Sequence, residues 1–440
     1  MGFQQGLSGL NATSQQLSVI GNNIANANTY GEKSSSAQFS DLYANALSGS
    51  QSNQAGIGTT ISTIAQDFSQ GSIVTTDNPL DLAINGGGFY MLKGVSGQTL
   101  YSRDGEFQVD KAGNVVNSAG QTLYGYSANA QGQIQQGALT TLTIPTAGIA
   151  PKATDTLALN FNLNSSASIT APSSGTGTGM SLTDSTTYNN ATSITVYDAK
   201  GNAVPVTFYF QQAVDPSGQG NGVWNVYATA NGQTLASESP DGNGNPTTPF
   251  TTITYPAAGG TPTFNPANAA GTDAPQLNIP MGTQTPPAAP TLAVGPINVS
   301  LATSTNNNAS FAVTSDTQDG YAPGSLTSVS ISAQGVFQAN YSNGQSKNTG
   351  QLVLANFPNL NGLQAVGGNA WSSTFAAGTS VIGTPGSGNL GEIQSSALES
   401  SNVNLTNQLV SLVSAQRNYQ ANAQSVKTVD QDLQTLTTSL

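Results

Sequence analysis

Residues 400–440 read SSNVNLTNQLVSLVSAQRNYQANAQSVKTVDQDLQTLTTSL, and they lie beyond the last proline, Pro385, and the last glycine, Gly391. With no helix breaker, and with Ser400, Ser401 or Asn402 available as a cap, the stretch predicts one long helix. Leu405, Leu409, Leu412, Tyr419, Ala423 and Val426 recur at 4-3 spacing, interrupted by Gln416. Val429, Leu433, Leu436 and Leu440 continue the stripe after one extra three-residue step, which locally shifts a coil. At about 1.5 Å per residue the helix would span roughly 55–60 Å. Few globular domains bury a helix that long.

The other end of the chain repeats the pattern. Phe3, Leu7, Leu10, Leu17 and Ile24 keep a 4-3 spacing, with Ser14 and Gly21 filling the gaps. Gly6, Gly9 and Gly21 each weaken an isolated helix by about 1 kcal/mol relative to Ala. Such a helix is marginal alone and needs a partner. Burying the five large side chains would contribute roughly 7–15 kcal/mol at most, and leaving them bare would invite aggregation. Either the two ends pair with each other, or they also pack against neighbouring copies.

Between the ends the pattern is all-β. Leu80-Asp81-Leu82-Ala83-Ile84 alternates, Asn85-Gly86 signals a hairpin, and Phe89-Tyr90-Met91-Leu92 follows. Further strands are expected at Leu123–Tyr126, Ile194–Tyr197, Val204–Phe210, Val223–Tyr227 and Val329–Ile331, with turns at Asp198–Asn202, Gln334-Gly335 and Tyr341–Gly344. Ser165–Gly179 and Asp241–Pro290 read as loops or loosely packed surface. The chain is therefore expected to be α+β and nested. Residues 1–28 and 400–440 form a coiled-coil-like terminal helical domain, 29–147 and 319–399 a discontinuous β-rich inner domain with a connecting segment, and 148–318 an inserted, β-barrel-like outer domain.

Composition narrows the chemistry. Lys and Arg number 9, Asp and Glu 21, for a net charge of -12 over 440 residues. That balance argues against nucleic acid and anionic membranes as partners. With no Cys and no His, disulfides, Cys/His zinc sites, Cys nucleophiles and Ser-His-Asp triads are excluded. Asp241, Asn243 and Asn245 imitate a calcium loop, yet Pro246 stands where Gly is needed and Thr252 where the bidentate Glu belongs. Gly56-Ile57-Gly58 lacks the third glycine of a dinucleotide loop. Asp77 and Asp81 flank Asn78-Pro79 as a turn and a strand residue, not as an acid and base. No enzyme activity and no cofactor or metal are expected. No span reaches the roughly 20 apolar residues of a membrane helix. Met1–Tyr30 has neither Lys or Arg nor a continuous apolar run, so a cleaved signal peptide is not expected.

Asn22-Asn23-Ile24-Ala25-Asn26 followed by Thr29-Tyr30-Gly31 resembles the N-terminal motif of the bacterial flagellar rod and hook proteins. The block from Gly71 through Asn78-Pro79-Leu80-Asp81 to Gly88-Phe89 is similar to that family's most distinctive stretch. Tyr101–Phe107 and Leu123–Tyr126 continue it, and Leu398–Val403 with Gln416-Arg417-Asn418-Tyr419 through Ala423 resembles its C-terminal signature. The middle insert, together with Gln318–Tyr321, Tyr341–Gly344 and Gly367–Trp371, is similar to the hook members rather than the rod members. Glu32 departs from the pattern, which has an aromatic after Gly31.

The resemblance implies a helical homopolymer forming the tubular hook, a flexible universal joint that carries torque from rod to filament. In it the terminal helices line a central export channel and the β domains stack outward. It implies contacts with rod and hook–filament junction proteins, and with the hook cap and type III export apparatus during assembly. It places the protein outside the cell and its helical ends in disorder before assembly. Subunit contacts are expected at Phe3, Leu7, Leu10, Leu17, Ile24, Leu405, Leu409, Leu412, Tyr419, Val426, Leu433 and Leu436. The structural alternative for Asn22, Asn23 and Asn26 is hydrogen bonding at the helix end. A distal rod subunit is the nearer alternative function, and a secreted adhesin or surface-layer protein one of a different class.

Overall fold

A 24-residue helix, Gly2–Ala25 (α1), opens the chain and a 34-residue helix, Leu405–Thr438 (α2), closes it, with strands between them. The computed structural model describes residues 2–42, 58–171, 180–220, 222–279 and 294–438. At about 1.5 Å per residue, α2 is roughly 51 Å long. The fold is α+β.

The cap of α2 lies later than the sequence suggests. Asn404 Oδ1 accepts the N–H of Asn407 at 3.0 Å, which makes Asn404 the N-cap. Asn402 is occupied elsewhere, its side chain accepting the N–H of Ser34 and donating to the carbonyl of Asp67, while the backbone of Ser400 is still in the β layer, its N–H donating to the carbonyl of Ser72. A side chain held by the β layer is not available to a helix.

The chain divides into two compact units. One comprises Met1–Thr146, Thr327–Asn340 and Ser346–Leu440, the other Ala147–Leu326 and Tyr341–Gln345. In the first, Ser35–Leu42 and Gly58–Gln66 form a long antiparallel hairpin that packs beside α1, an element the sequence pattern did not single out. The expected hairpin at Asn85-Gly86 does not form. Leu82–Asn85 pairs instead with Glu392–Ser395, placing Ile84 opposite Ile393, while Phe89–Lys93 pairs with Thr99–Ser102. The reason is burial: Leu82, Ala83 and Ile84 are all inaccessible, so this strand is covered on both faces and does not alternate. Gly86 has φ +120°, and a Cβ there would lie 2.9 Å from Gly391 Cα, the close crossing that replaces the turn. The core of this unit is aromatic, with Phe68, Phe89 and Trp371 meeting edge to face at 5.7 Å.

The second unit has two sheets. Thr156–Asn164 sits between Val294–Ser300 and Ala312–Gln318, whereas Asn190–Tyr197, Ala203–Ala213, Gly222–Ala230 and Thr251–Tyr255 follow one another antiparallel. Both contribute to one core that includes Phe161, Phe208, Phe210, Trp224 and Ile297. The turn at Asp198–Asn202 is as expected, with Asp198 Oδ1 accepting the N–H groups of Lys200 and Asn202. The stretch Asp241–Pro290 is not merely loop. Thr251–Tyr255, Thr263–Asn265 and Leu277–Ile279 are strands, and Phe250, Ile253, Phe264 and Leu277 are buried. Sparse apolar residues sufficed because each one points into the core. The Asp241 carboxylate accepts the N–H groups of Asn243 and Asn245 within a tight turn. Residues 172–179 and 280–290 of the two expected loops, and Gly56-Ile57, lie outside the described residues.

Candidate assembly surface

The terminal helices pack on each other, but not through the apolar stripe of α1. The buried positions of α1 are Gly6, Ala12, Thr13, Ile20 and Asn23. With half-buried Gly9 and Gln16, they trace a second 4-3 stripe of Gly6, Gly9, Thr13, Gln16, Ile20 and Asn23, one residue ahead of the apolar one. Glycine makes the contact close. A Cβ on Gly6 would sit 2.7 Å from Val426 Cγ2, and one on Gly9 2.8 Å from Asn422 Nδ2. On α2 the inward positions are Gln408, Leu412, Ala415, Asn422, Val426 and Val429.

Several large apolar side chains remain outward among polar ones. Phe3 is 44% exposed, Leu7 45%, Leu405 48% and Leu409 46%. Val410, Val413 and Tyr419 are exposed as well. Leu10, Leu17, Ile24, Leu412 and Val426 are half-buried, while Gln416 and Arg417 are exposed. The side chains of Leu433 and Leu436, and all of Leu440, lie outside the described residues. A helix pair that satisfies one face and presents a second, Leu- and Phe-bearing face to water is an unfinished core.

The motif residues do structural work at the base of this pair. Asn23 clamps the backbone of Ser35, donating from Nδ2 to its carbonyl at 2.8 Å and accepting its N–H at 2.9 Å. Asn26 donates to the carbonyl of Asn22. The first ties α1 to the strand Ser35–Leu42, and the second closes the end of the helix. Asn78 Oδ1 accepts Leu80 N–H and its Nδ2 donates to Asp81 Oδ1. Ser395 Oγ donates to the carbonyl of Pro79, so the 78–81 turn seals against the returning chain.

Between helices and sheet lies a buried charge triad that the sequence reading missed. Glu399 Oε1 meets Lys33 Nζ at 2.6 Å and Oε2 meets Arg103 Nη1 at 3.0 Å; all three side chains are at most 5% exposed. The remaining polar capacity is largely spent. Lys33 also donates to the carbonyl of Ser69, Arg103 Nη2 to that of Gly86, and Gly71 N–H to Glu399 Oε1. The guanidinium lies 5.4 Å from the Phe89 ring centre. Burial lowers the Lys33 pKa and Glu399 opposes that. Gly31 fits beside it with φ +71°, its N–H donating to the Glu399 carbonyl and its α-carbon against the Arg103–Asp104 backbone. The half-buried Glu32, where the resemblance has an aromatic, has its pKa raised by desolvation. Lys33, Arg103 and Glu399 are far apart in the chain, so no local spacing announces them. With 9 Lys and Arg in all, an Arg amid the turn-like Tyr101–Phe107 block was the available signal.

Family models match in chain order: flagella basal body rod protein over 3–31, flagellar hook protein FlgE/F/G D1 domain over 83–199, flagellar basal body protein FlaE D2 domain over 162–321, and flagellar basal body rod FlgEFG protein C-terminal over 394–439. The chain is 39% identical over 438 residues to the flagellar hook protein FlgE of Salmonella typhimurium, covering 99% of each. The chain belongs to the flagellar hook protein family. It is 32% identical to the hook protein of Rhizobium meliloti over 437 residues, covering 99% of this chain and 97% of the relative. Flagellar hook protein FlgE2 of Helicobacter pylori shares the fold, with a TM-score of 0.52 at 14% identity over 74% of this chain and 100% of that one. No helix among the described residues is long and apolar enough to cross a membrane.

Proposed function

We propose that this hook-family chain is a structural, non-catalytic subunit that polymerises into the tubular hook, the flexible joint between rod and filament. The carrying observation is outward apolar side chains at both ends of the antiparallel helix pair, Phe3 and Leu7 at one and Leu405 and Leu409 at the other, left bare beside the internal contact of Gly6 with Val426 and Gly9 with Asn422. In this reading the helices form a coiled-coil-like inner domain, 1–28 with 400–440, around an export channel. Residues 29–147 with 319–399 form the inner β domain, and 148–318 an outer, barrel-like β domain. Leu10, Leu17, Ile24, Tyr419, Leu433 and Leu436 complete the subunit contacts, whereas Leu412 and Val426, turned toward α1 of the same chain, are withdrawn from them. The partners are further copies, the rod and junction proteins, and the cap and type III export apparatus, with the assembled protein outside the cell. Full-length similarity to relatives named hook protein favours this reading over a distal rod subunit or an adhesin.

Electron microscopy of the purified full-length protein under polymerising conditions tests it. Tubes are expected, and removal of residues 1–28 and 400–440 should leave a soluble β-rich monomer that forms none. Tubes from the trimmed chain would contradict the reading.

A further inference from the structure

In the second unit, the chain between Gln233–Thr234 and Thr251–Tyr255 folds back along the Gly222–Ala230 strand; Leu235 roots it in the core, Asn245 Oδ1 accepts the N–H of Leu182, and the Glu238 side chain ties its middle to the strand. That strand pairs with Thr251–Tyr255 only as far as Val226, and with Gln233–Thr234 only from Thr229. The N–H of Ala228 lies between, and Glu238 Oε1 accepts it at 2.6 Å. The side chain thus stands where a strand partner would.

Glu238 is fully buried, and its second oxygen, Oε2, has no hydrogen-bond partner, nor does nearby Thr229 Oγ1. Its own carbonyl gathers the far side of the segment, accepting Thr247 N–H at 3.0 Å and Thr248 N–H at 3.1 Å. Ser239, the next residue, is in the left-handed region with φ +48°. The titratable neighbour is Tyr227 of the strand, whose hydroxyl donates to Gln211 Oε1. Burial, and then the Glu238 charge, push Tyr227 up to about 12. Asp241 of the segment itself spends its carboxylate on the N–H groups of its own turn. Among the described residues no Lys or Arg pairs with Glu238.

An uncompensated carboxylate in such a place is expelled toward water unless it keeps its proton. Burial accordingly pushes Glu238 up to about 8. We propose that residues 235–248 are a flap, latched by the uncharged Glu238 carboxyl in the sheet gap and released when that carboxyl ionises. Release frees the Ala228 N–H and uncovers Tyr227, so this part of the subunit changes its surface in alkaline surroundings.

Hydrogen exchange of the full-length protein between pH 6 and 9.5, corrected for the intrinsic pH dependence of exchange, tests the latch. Peptides covering 235–248 should gain at least about tenfold in exchange, with a single-proton midpoint near 8. Peptides from Thr156–Asn164 should not. Glu238→Gln, which keeps the shape and cannot ionise, should abolish the step. No step in the wild-type protein, the same step in Glu238→Gln, or a step shared by the whole unit would each overturn the proposal. Should the variant fold poorly, the wild-type profile decides alone.

Discussion

Helix α2 is 34 residues long, and among its described side chains only Ala415 is buried. The strand Thr156–Asn164 has nine residues and buries Leu157, Leu159, Phe161 and Leu163. Both carry regular apolar repeats, one at helical and one at strand spacing. The strand's repeat is answered inside the same chain by a facing sheet, whereas among the described residues the main partner of the helix is α1, and one neighbouring helix covers one side. A periodic apolar stripe reports that a surface is meant to be covered. It does not report by which molecule.

The sharpest contrast within the first unit is between its bare helices and its buried neck. Glu399→Ala would leave Lys33 and Arg103 as uncompensated buried cations, at a cost of about 3–5 kcal/mol. Chemical denaturation should show that loss in the first unit's transition, with the second unit's transition in place. A loss confined below about 1 kcal/mol would mean that water or relaxation already serves the two cations.

The pH response should separate the units as well. The pKa of Glu238 in the folded chain, about 8, lies above its ordinary 4.5. Its contribution to stability is therefore full below about pH 4.5 and is lost as pH rises through 8. Relative to Glu238→Gln, the wild-type second unit should lose roughly 2–4 kcal/mol across that window. Asp104 in the first unit, raised by burial to about 6 against an ordinary 3.8, acts in the same direction over a lower and narrower range. Denaturation of the wild-type protein, Glu238→Gln and Asp104→Asn at a series of pH values reads the two windows apart.

Smaller effects concern the helix pair. Gly6→Val adds bulk where even one carbon would come 2.7 Å from Val426 Cγ2, and should cost about 1–3 kcal/mol through overpacking, offset only by about 0.3 kcal/mol from the better helix propensity of valine. Circular dichroism should show a loss of helix with the β signal retained. Asn404→Ala, which removes the cap on Asn407 N–H, should cost about 1 kcal/mol and fray the start of α2.

Much of this architecture was legible in the sequence, and the failures have physical causes. The terminal helices follow from periodicity, helped in α2 by the absence of breakers, and the Asp198–Asn202 hairpin from local turn chemistry. The packed face of α1 was not legible, because glycine, threonine and asparagine make a close contact that hydrophobicity does not register. The pairing of Leu82–Asn85 with Glu392–Ser395 and the Lys33–Glu399–Arg103 triad were hidden for a different reason. Each joins residues hundreds of positions apart, and an Asn-Gly pair describes only its immediate neighbours.

The central claim is that the outward stripe belongs to other copies of the chain. The direct test is to replace Leu7 and Leu409 together by Ser, then measure the denaturation midpoint of the monomer and the yield of tubes by electron microscopy. Both side chains are nearly half exposed, so the monomer should lose only about 1–3 kcal/mol, from partial burial and helix propensity, and stay folded while tube formation is lost. Normal tubes from the double variant, or a monomer that unfolds before it can assemble, would contradict the account.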